Sequence, residues 1–417
     1  MLASRRCVPC RPTLALAALA AVCATLTANA CGDDQSVHLV AHDWAAHVSS
    51  RRQPTSAPGA PDLRSERSSG AVTRPRVAST GADTRALSIS RAVGQMLMTH
   101  VTGLTASPRL LARVRSGQVG SVILYGENIS SDRQLALLTS SLQRAAHAGG
   151  NPPLLIGTDQ EGGSVKRLRN SPPTMSARQM GAAAEPFSLA ENQGRATGEH
   201  LRRLGINLDF APVADIPTTR DNFLQDRAFG SAQSAVVYGA SGFAKGLADA
   251  GVAASAKHFP GLGAAGPRDS DFTLVSIRAP KSELQDAYAP YVAMAQLGSR
   301  VAPMVMVSDA SYPALDPSGL PAVLSRRIIH GQLAVAGLSD RVTITDDLEV
   351  PSVKQYPNAP VAAILAGDDI LMFAQHETGS EQAFRAISSA VAANAIPRSL
   401  AVADAEKVIR LKRTVAR

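Results

Sequence analysis

Cysteine is almost absent from this 417-residue sequence, and all four cysteines lie within the first 31 positions. The remaining 386 residues therefore hold neither a disulfide framework nor a cysteine-ligated zinc or iron–sulfur site. Aromatic residues are scarce at 4%, and charged residues reach only 18%. Because 45% of the residues are hydrophobic, the composition is that of a folded globular protein and excludes a wholly disordered chain.

A dense basic region is also missing, although the formal net charge is +8. Residues 1–87 hold ten arginines and six acids, whereas residues 88–417 hold 32 basic and 28 acidic residues. Half of the charge thus lies in the first 87 residues, and the rest is spread thinly. Nucleic-acid-binding proteins concentrate positive charge in a stripe or patch, so we predict no nucleic-acid partner.

The first 31 residues have the pattern of an export signal. Three arginines precede an uncharged apolar stretch at residues 13–28, which is short for a membrane-spanning helix. Two processing routes fit the small residues that follow: cleavage after Ala30, or lipoprotein processing with a lipid on Cys31. Both routes predict an exported protein, either extracellular or anchored to the outer face of the cytoplasmic membrane.

Residues 32–87 are predicted to be a flexible linker. They are rich in Ser, Pro, Ala, Gly and Arg and show no apolar period. Such a segment buries too little apolar surface to offset the entropy lost on ordering. We therefore expect a disordered tail that joins the export signal to a catalytic domain at residues 88–417.

Eight short apolar runs follow residue 87, each succeeded by a stretch with helical spacing. The runs are nearly continuous in aliphatic residues, which is typical of strands buried on both faces. One intervening stretch, residues 282–297, predicts a helix that opens with a capping box of Ser282 and Gln285 and kinks at Pro290. The runs cover residues 96–101, 121–126, 154–159, 207–213, 252–259, 305–310, 342–347 and 369–374.

Eight strand–helix units in one domain predict an α/β fold, a (β/α)₈ TIM-type barrel; a doubly wound sheet is the alternative. A barrel carries its chemistry at the carboxyl ends of its strands. Polar and charged groups follow four of the runs, which predicts a site at one rim of the barrel. They are Asp159 and Glu161 after the third, Asp215 after the fourth, Lys257 and His258 in the fifth, and Asp346 and Asp347 in the seventh.

Four motifs carry a resemblance to a known family. They are IGTDQEGG at residues 156–163, DRAFG at 226–230, KHFPG at 257–261 and TDDL at 345–348. Together they resemble the glycoside hydrolase family 3 N-terminal barrel domain, and within it the bacterial β-N-acetylhexosaminidase branch. The resemblance extends from about Leu87 to the carboxyl terminus and leaves out the tail.

This resemblance implies an exo-acting glycosidase that removes terminal β-linked N-acetylglucosamine, as from peptidoglycan fragments, with no metal or other cofactor. Asp346 matches the nucleophile, which would form a covalent glycosyl-enzyme with retention of configuration. Neighbouring cations would keep Asp346 ionised. Positions that hold the sugar hydroxyls by charge-assisted hydrogen bonds match Asp159, Arg167, Arg227, Lys257 and His258.

The loop after KHFPG departs from the family pattern. There the family has Asp-Ser-His, whose histidine is the general acid/base, whereas this chain has Asp269-Ser270-Asp271 and no histidine in the loop. Three outcomes stay open: Asp271 or Asp269 is the acid, with a pKa that the other carboxyl raises; a carboxylate elsewhere replaces it; or the acid is missing. The last outcome would make the protein a sugar-binding lipoprotein with little turnover. A β-glucosidase-like exo-hexosidase of the same family is a further alternative.

Overall fold

The computed structural model describes residues 87–415. The predicted export signal, the linker as far as residue 86 and the lipidation candidate Cys31 lie outside the described residues. Among the helices that are described, none combines the length and the apolar character that a membrane crossing requires.

Ten β-strands lie in the described part of the chain, and each of the eight predicted apolar runs overlaps one of them; seven runs contain their strand whole, and β8 begins one residue before the run at 305–310. The other two form a small antiparallel hairpin that the sequence did not predict. The strands are β1 (Leu97–His100), β2 (Ser121–Leu124), β3 (Leu155–Thr158), β4 (Gln160–Gly162), β5 (Val165–Lys166), β6 (Leu208–Asp209), β7 (Ala253–Phe259), β8 (Met304–Val307), β9 (Val342–Asp347) and β10 (Ile370–Phe373).

Eight strands close into a parallel barrel in the order β1-β2-β3-β6-β7-β8-β9-β10. The first and last strands pair with each other, with Leu97 beside Leu371, so the sheet has no free edge. A doubly wound sheet would leave two edges, so the predicted TIM-type barrel is confirmed. The hairpin β4–β5 follows β3 at the carboxyl-terminal rim.

Helices between the strands cover the outside of the barrel. The α-helices of the described residues are α1 (Ile89–Gln95), α2 (Pro108–Ser116), α3 (Asp132–Ala148), α4 (Ala177–Gly181), α5 (Pro186–Arg203), α6 (Gln233–Asp249), α7 (Lys281–Asp286), α8 (Ala289–Gln296), α9 (Leu333–Val335), α10 (Pro351–Lys354), α11 (Ala359–Ala366), α12 (Glu377–Ala392) and α13 (Arg398–Val415).

The helix predicted for residues 282–297 is in fact two helices. α7 begins after Pro280, and Ser282 lies inside it without capping it, so the predicted capping box is wrong. Pro290 falls in the first turn of α8, where its missing N–H leaves no hydrogen bond unmade. The proline therefore starts a new helix, whereas the sequence pattern predicted a kink within one.

The interior of the barrel is filled at its amino-terminal end, which leaves the other end for a site. Apolar side chains from the strands pack there with Val408 and Leu411 of α13. The Lys412 ammonium also donates to the backbone oxygen of Gly120, just before β2, at 2.6 Å. The strand residues in this interior cluster include Met98, Ile123, Leu155, Leu208, Met304, Ile344 and Ile370.

Candidate active site

A pocket of about 570 Å³ opens at the carboxyl ends of the barrel strands. The eight site residues predicted for the barrel all line it, although they come from four different strand–loop segments. The structure thus brings every one of them together, as the rule for barrel enzymes requires. They are Asp159, Arg167, Arg227, Lys257, His258, Asp269, Asp271 and Asp346.

Asp159, just beyond β3, is held between two cations. The Lys257 ammonium lies 2.7 Å from one carboxylate oxygen, and the Arg167 guanidinium lies 3.1 Å from the other. Burial alone would raise the pKa of Asp159, but Lys257 and Arg167 outweigh it and hold that pKa well below its usual range. Arg167 is fixed further by the ring of Tyr125, whose centroid lies 4.9 Å from its guanidinium carbon.

Glu161 is the second acid on this side of the pocket, and the sequence did not predict its role. Arg227 contacts both of its carboxylate oxygens, at 2.9 and 3.0 Å, and Lys257 lies 2.6 Å from one of them. Burial opposes ionisation of Glu161, yet Arg227 and Lys257 lower its pKa. Two acids and three cations therefore form a connected network, which we call the paired wall: Asp159, Glu161, Arg167, Arg227 and Lys257.

His258 is oriented by Asp215, which follows β6. The carboxylate of Asp215 lies 2.7 Å from His258 Nδ1 and accepts the backbone N–H groups of His258 and Leu262. Asp215 is buried, so these bonds fix both the imidazole and the loop after β7. The strand-end rule had pointed to Asp215 without giving it a role.

The Gly162-Gly163 pair makes the turn of the β4–β5 hairpin, because both residues have positive φ angles of 95° and 60°. A Cβ on Gly163 would lie 2.2 Å from an oxygen of Asp226. That aspartate accepts the backbone N–H and the hydroxyl of Ser164 at 2.9 and 2.6 Å. Close packing against Asp226 is thus a reason for glycine at position 163, alongside the hairpin turn.

Three carboxylates on the opposite side lie unusually close together. Asp346 is the penultimate residue of β9, Asp309 follows β8 and Asp271 lies on the loop after β7. Oxygens of the three lie within 4.8 Å of one another. We call this cluster the acid wall. The sequence did not point to Asp309 as a site residue. It lies two residues after the apolar strand β8, and a similar position at a strand end had indicated the other acidic site residues.

The pKa values of the carboxyl groups in the acid wall are raised, whereas those of Asp159 and Glu161 in the paired wall are lowered. Burial first, and then Asp271 and Asp309, raise the pKa of Asp346 well above its ordinary value, against the opposing effect of Lys257. The expectation that cations keep Asp346 ionised is therefore wrong, because burial and two neighbouring carboxylates outweigh the one ammonium of Lys257. Burial, Asp309 and Asp269 raise the pKa of Asp271 to about 7. This residue is exposed at the pocket mouth, where solvent screens part of these interactions.

Comparisons with known proteins identify the family of the chain. Residues 88–411 match the glycosyl hydrolase family 3 N-terminal domain. A β-hexosaminidase of Alkalilimnicola ehrlichii is 34% identical over 273 residues, which are 62% of this chain and 74% of that protein. An uncharacterized secreted glycosyl hydrolase of Arthroderma benhamiae is 33% identical over 305 residues, covering 71% of this chain and 85% of that protein.

A solved structure is similar as well. A family 3 β-N-acetylglucosaminidase from a Paenibacillus species superposes with a TM-score of 0.75 at 32% identity. The alignment covers 79% of this chain and 63% of the other, so the chain spans about three-fifths of that protein.

Proposed function

The chain belongs to glycosyl hydrolase family 3 and is a β-hexosaminidase-like O-glycosyl hydrolase, and from that premise we propose its reaction. It removes terminal β-linked N-acetylglucosamine with retention of configuration, through a covalent intermediate on Asp346. The observation that carries this proposal is the closeness of Asp346 and Asp271, whose oxygens lie within 4.8 Å. Retaining glycosidases hold their two carboxyl groups about 5–5.5 Å apart, whereas inverting ones need about 6.5–9.5 Å for a water.

Each side of the pocket has its own part in the proposed reaction. The paired wall and His258 hold the sugar hydroxyls through charge-assisted hydrogen bonds. Asp346, in its ionised form, attacks the anomeric carbon while Asp271, in its protonated form, gives its proton to the glycosidic oxygen, and the bond to the leaving group breaks. Asp271 then removes a proton from water, whose oxygen attacks the same carbon and releases Asp346. A pKa of about 7 suits a residue that must give and take a proton.

Relatives and the predicted export signal together support the choice of substrate. The Alkalilimnicola protein and the Paenibacillus protein are both named for the hydrolysis of β-linked amino sugars. The organisation we propose is an export signal at residues 1–31, a linker at 32–87 and the catalytic domain at 88–417. Export would place the enzyme beside the cell wall, so peptidoglycan fragments are the proposed source of the sugar. The secreted Arthroderma relative is consistent with export.

A panel of aryl glycosides tests the reaction. The full chain is expected to hydrolyse an aryl β-N-acetylglucosaminide faster than the matched β-glucoside, and a slow fluorinated substrate should leave a sugar adduct on Asp346. The opposite preference would indicate a β-glucosidase-like exo-hexosidase. Activity that Asp346→Ala leaves unchanged would remove Asp346 as nucleophile. Sugar binding in calorimetry without turnover or adduct would instead indicate a sugar-binding protein.

Membrane attachment through Cys31 is a separate proposal. Radioactive palmitate should label the wild-type protein and not Cys31→Ser. Equal labelling of both, or of neither, would leave ordinary secretion after Ala30 as the processing route.

A further inference from the structure

Asp309 is a buried carboxylate that the reaction above does not use. Its side chain is fully buried, and it does not line the pocket itself. The Ser352 hydroxyl donates to Oδ2 at 2.7 Å, and the nearby Ser270 side chain also lowers the pKa of the carboxyl. Its Oδ1 has no hydrogen-bond partner among the described residues. Burial raises the pKa of Asp309, and the hydroxyl of Ser352 opposes that rise because it stabilises the ionised carboxylate beside Asp271.

Asp271 and Asp309 differ in the hydrogen-bond donors around them, and this difference indicates which of the two carboxyl groups holds the proton. Asp271 has no side-chain hydrogen-bond donor among the described residues, whereas Asp309 accepts a hydrogen bond from Ser352. Asp271 also reaches the pocket mouth, where a leaving group would lie. The titratable groups around the pair are Asp269, Asp346 and Asp347, which are acidic, and Arg227, Lys257 and His258, which are basic.

We propose that Asp309 is a positioning residue whose fixed negative charge keeps the catalytic proton on Asp271. This carboxyl pair thus replaces the histidine that the family motif places at the position of Asp271. The proposal rests on the proposed function, because it gives Asp271 the role of general acid. Carboxyl groups this close titrate as a pair, and the one with fewer donors holds the shared proton.

Asp309→Asn in the full chain tests the proposal, because the amide keeps the shape and can still accept from Ser352. Two substrates are compared across pH. Diacetylchitobiose has a leaving group that needs a proton, and 2,4-dinitrophenyl β-N-acetylglucosaminide has one that does not. Losing the charge should lower the pKa of Asp271, so the basic limb of kcat/KM for diacetylchitobiose should move down by about one pH unit. At pH 8 that is a roughly tenfold loss, while the dinitrophenyl substrate changes little.

Ser352→Ala is the matched variant, and it covers the case in which the Asn variant folds poorly. Without the hydroxyl, Asp309 carries less charge, so the same limb should move in the same direction by a smaller amount. An equal loss on both substrates with an unmoved limb would show a merely structural role and overturn the proposal. The basic limb of the wild-type enzyme could also move when EDTA is added. That result would overturn the proposal, because a bound cation and not Asp309 would then set the pKa of Asp271.

Failure of the proposed function leaves a different signature. If the wild type hydrolyses neither substrate, a ¹³C titration of the aspartate carboxyls still reads the pKa of Asp271. That pKa should be lower in Asp309→Asn than in the wild type. An unchanged value would overturn the role of Asp309, whatever the reaction is.

Phe272 supports a second inference from an independent observation. In a sequence with few aromatic residues, this ring is 78% exposed, more than any other large apolar side chain among residues 87–415. It lines the pocket and directly follows Asp271. A general acid must lie beside the glycosidic oxygen, so the leaving group passes close to the next residue. We infer that Phe272 is a stacking platform for a leaving-group sugar.

Phe272→Ala and Phe272→Tyr separate a ring contact from other effects. The alanine variant should lose about three- to tenfold in kcat/KM on diacetylchitobiose, mainly through KM, because an aromatic contact contributes about 0.5–1.5 kcal/mol. N-acetylglucosaminyl fluoride has no leaving-group ring and should be hydrolysed at the wild-type rate. Tyrosine should restore the disaccharide activity. Equal losses on both substrates, or no loss on either, would contradict the platform.

Discussion

The two sides of the pocket use the same residue types in opposite ways. On the paired wall, Asp159 and Glu161 each touch two cations, and their pKa values are lowered although burial opposes ionisation. On the acid wall, three carboxylates face one another, and their pKa values are raised. Burial acts in the same direction on both walls, so the number of nearby cations decides the outcome. Fixed charges suit the binding of a sugar, whereas the chemistry needs a group that can exchange a proton.

Removal of a cation from the paired wall should have the largest effect. Lys257→Met leaves Asp159 and Glu161 buried with fewer partners, and breaking a buried ion pair costs about 3–5 kcal/mol. The variant should therefore unfold at a much lower denaturant concentration and should not bind sugar. Both quantities are measurable by urea titration and by calorimetry.

Lys245→Met is the control for that prediction. Lys245 pairs with Asp249 on α6, away from the pocket, and the Asp249 side chain is 28% exposed. A partly exposed ion pair contributes about 1 kcal/mol or less. If both variants lower the free energy of unfolding equally, the ion pairs of the paired wall contribute no more than an ordinary surface ion pair.

Removal of the proton donor from the acid wall should chiefly affect the reaction. Asp271→Asn is expected to lower kcat/KM for diacetylchitobiose by about 10²–10⁴-fold, the usual contribution of a general acid. The dinitrophenyl substrate should still form the glycosyl-enzyme, and azide should speed its breakdown to the glycosyl azide. Kinetics with both substrates measure this. Equal losses on both, without azide rescue, would point to a different acid.

Removal of a carboxylate charge from the acid wall should raise the free energy of unfolding, whereas removal of a cation from the paired wall should lower it. The folded-state pKa of Asp346 lies above its unfolded value, so its contribution to stability is fully present below the unfolded pKa, about 4, and is lost as pH rises. Asp346→Asn should therefore be inactive yet more stable at pH 8, by roughly 1–2 kcal/mol, with a smaller gain at pH 5. Thermal unfolding at the two pH values tests this. A lower melting temperature at pH 8 would contradict the raised pKa.

The sequence predicted most of the residues on the two walls, but it did not predict which of their carboxyl groups are charged. The apolar runs identified all eight barrel strands because each run is a local pattern. The motifs pointed to Asp159, Lys257 and Asp346 for the same reason. The contact between Asp309 and Ser352 joins the loop after β8 to α10, 43 positions further along the chain. Only closure of the barrel brings them together, so no local signal marks the pair or the pKa values that follow from it.

The smallest expected effect separates the two acidic neighbours of Asp271. Asp269 lies two residues away, and its carboxylate accepts the backbone N–H of Asp271 at 3.1 Å. It raises the pKa of Asp271 less than Asp309 does, because it is half-buried and solvent screens its charge. Asp269→Asn should therefore shift the basic limb of kcat/KM downward by less than Asp309→Asn. The reverse order would mean that the Asp269-Ser270-Asp271 segment sets the titration by itself, and that the buried carboxylate from the next loop does not take part.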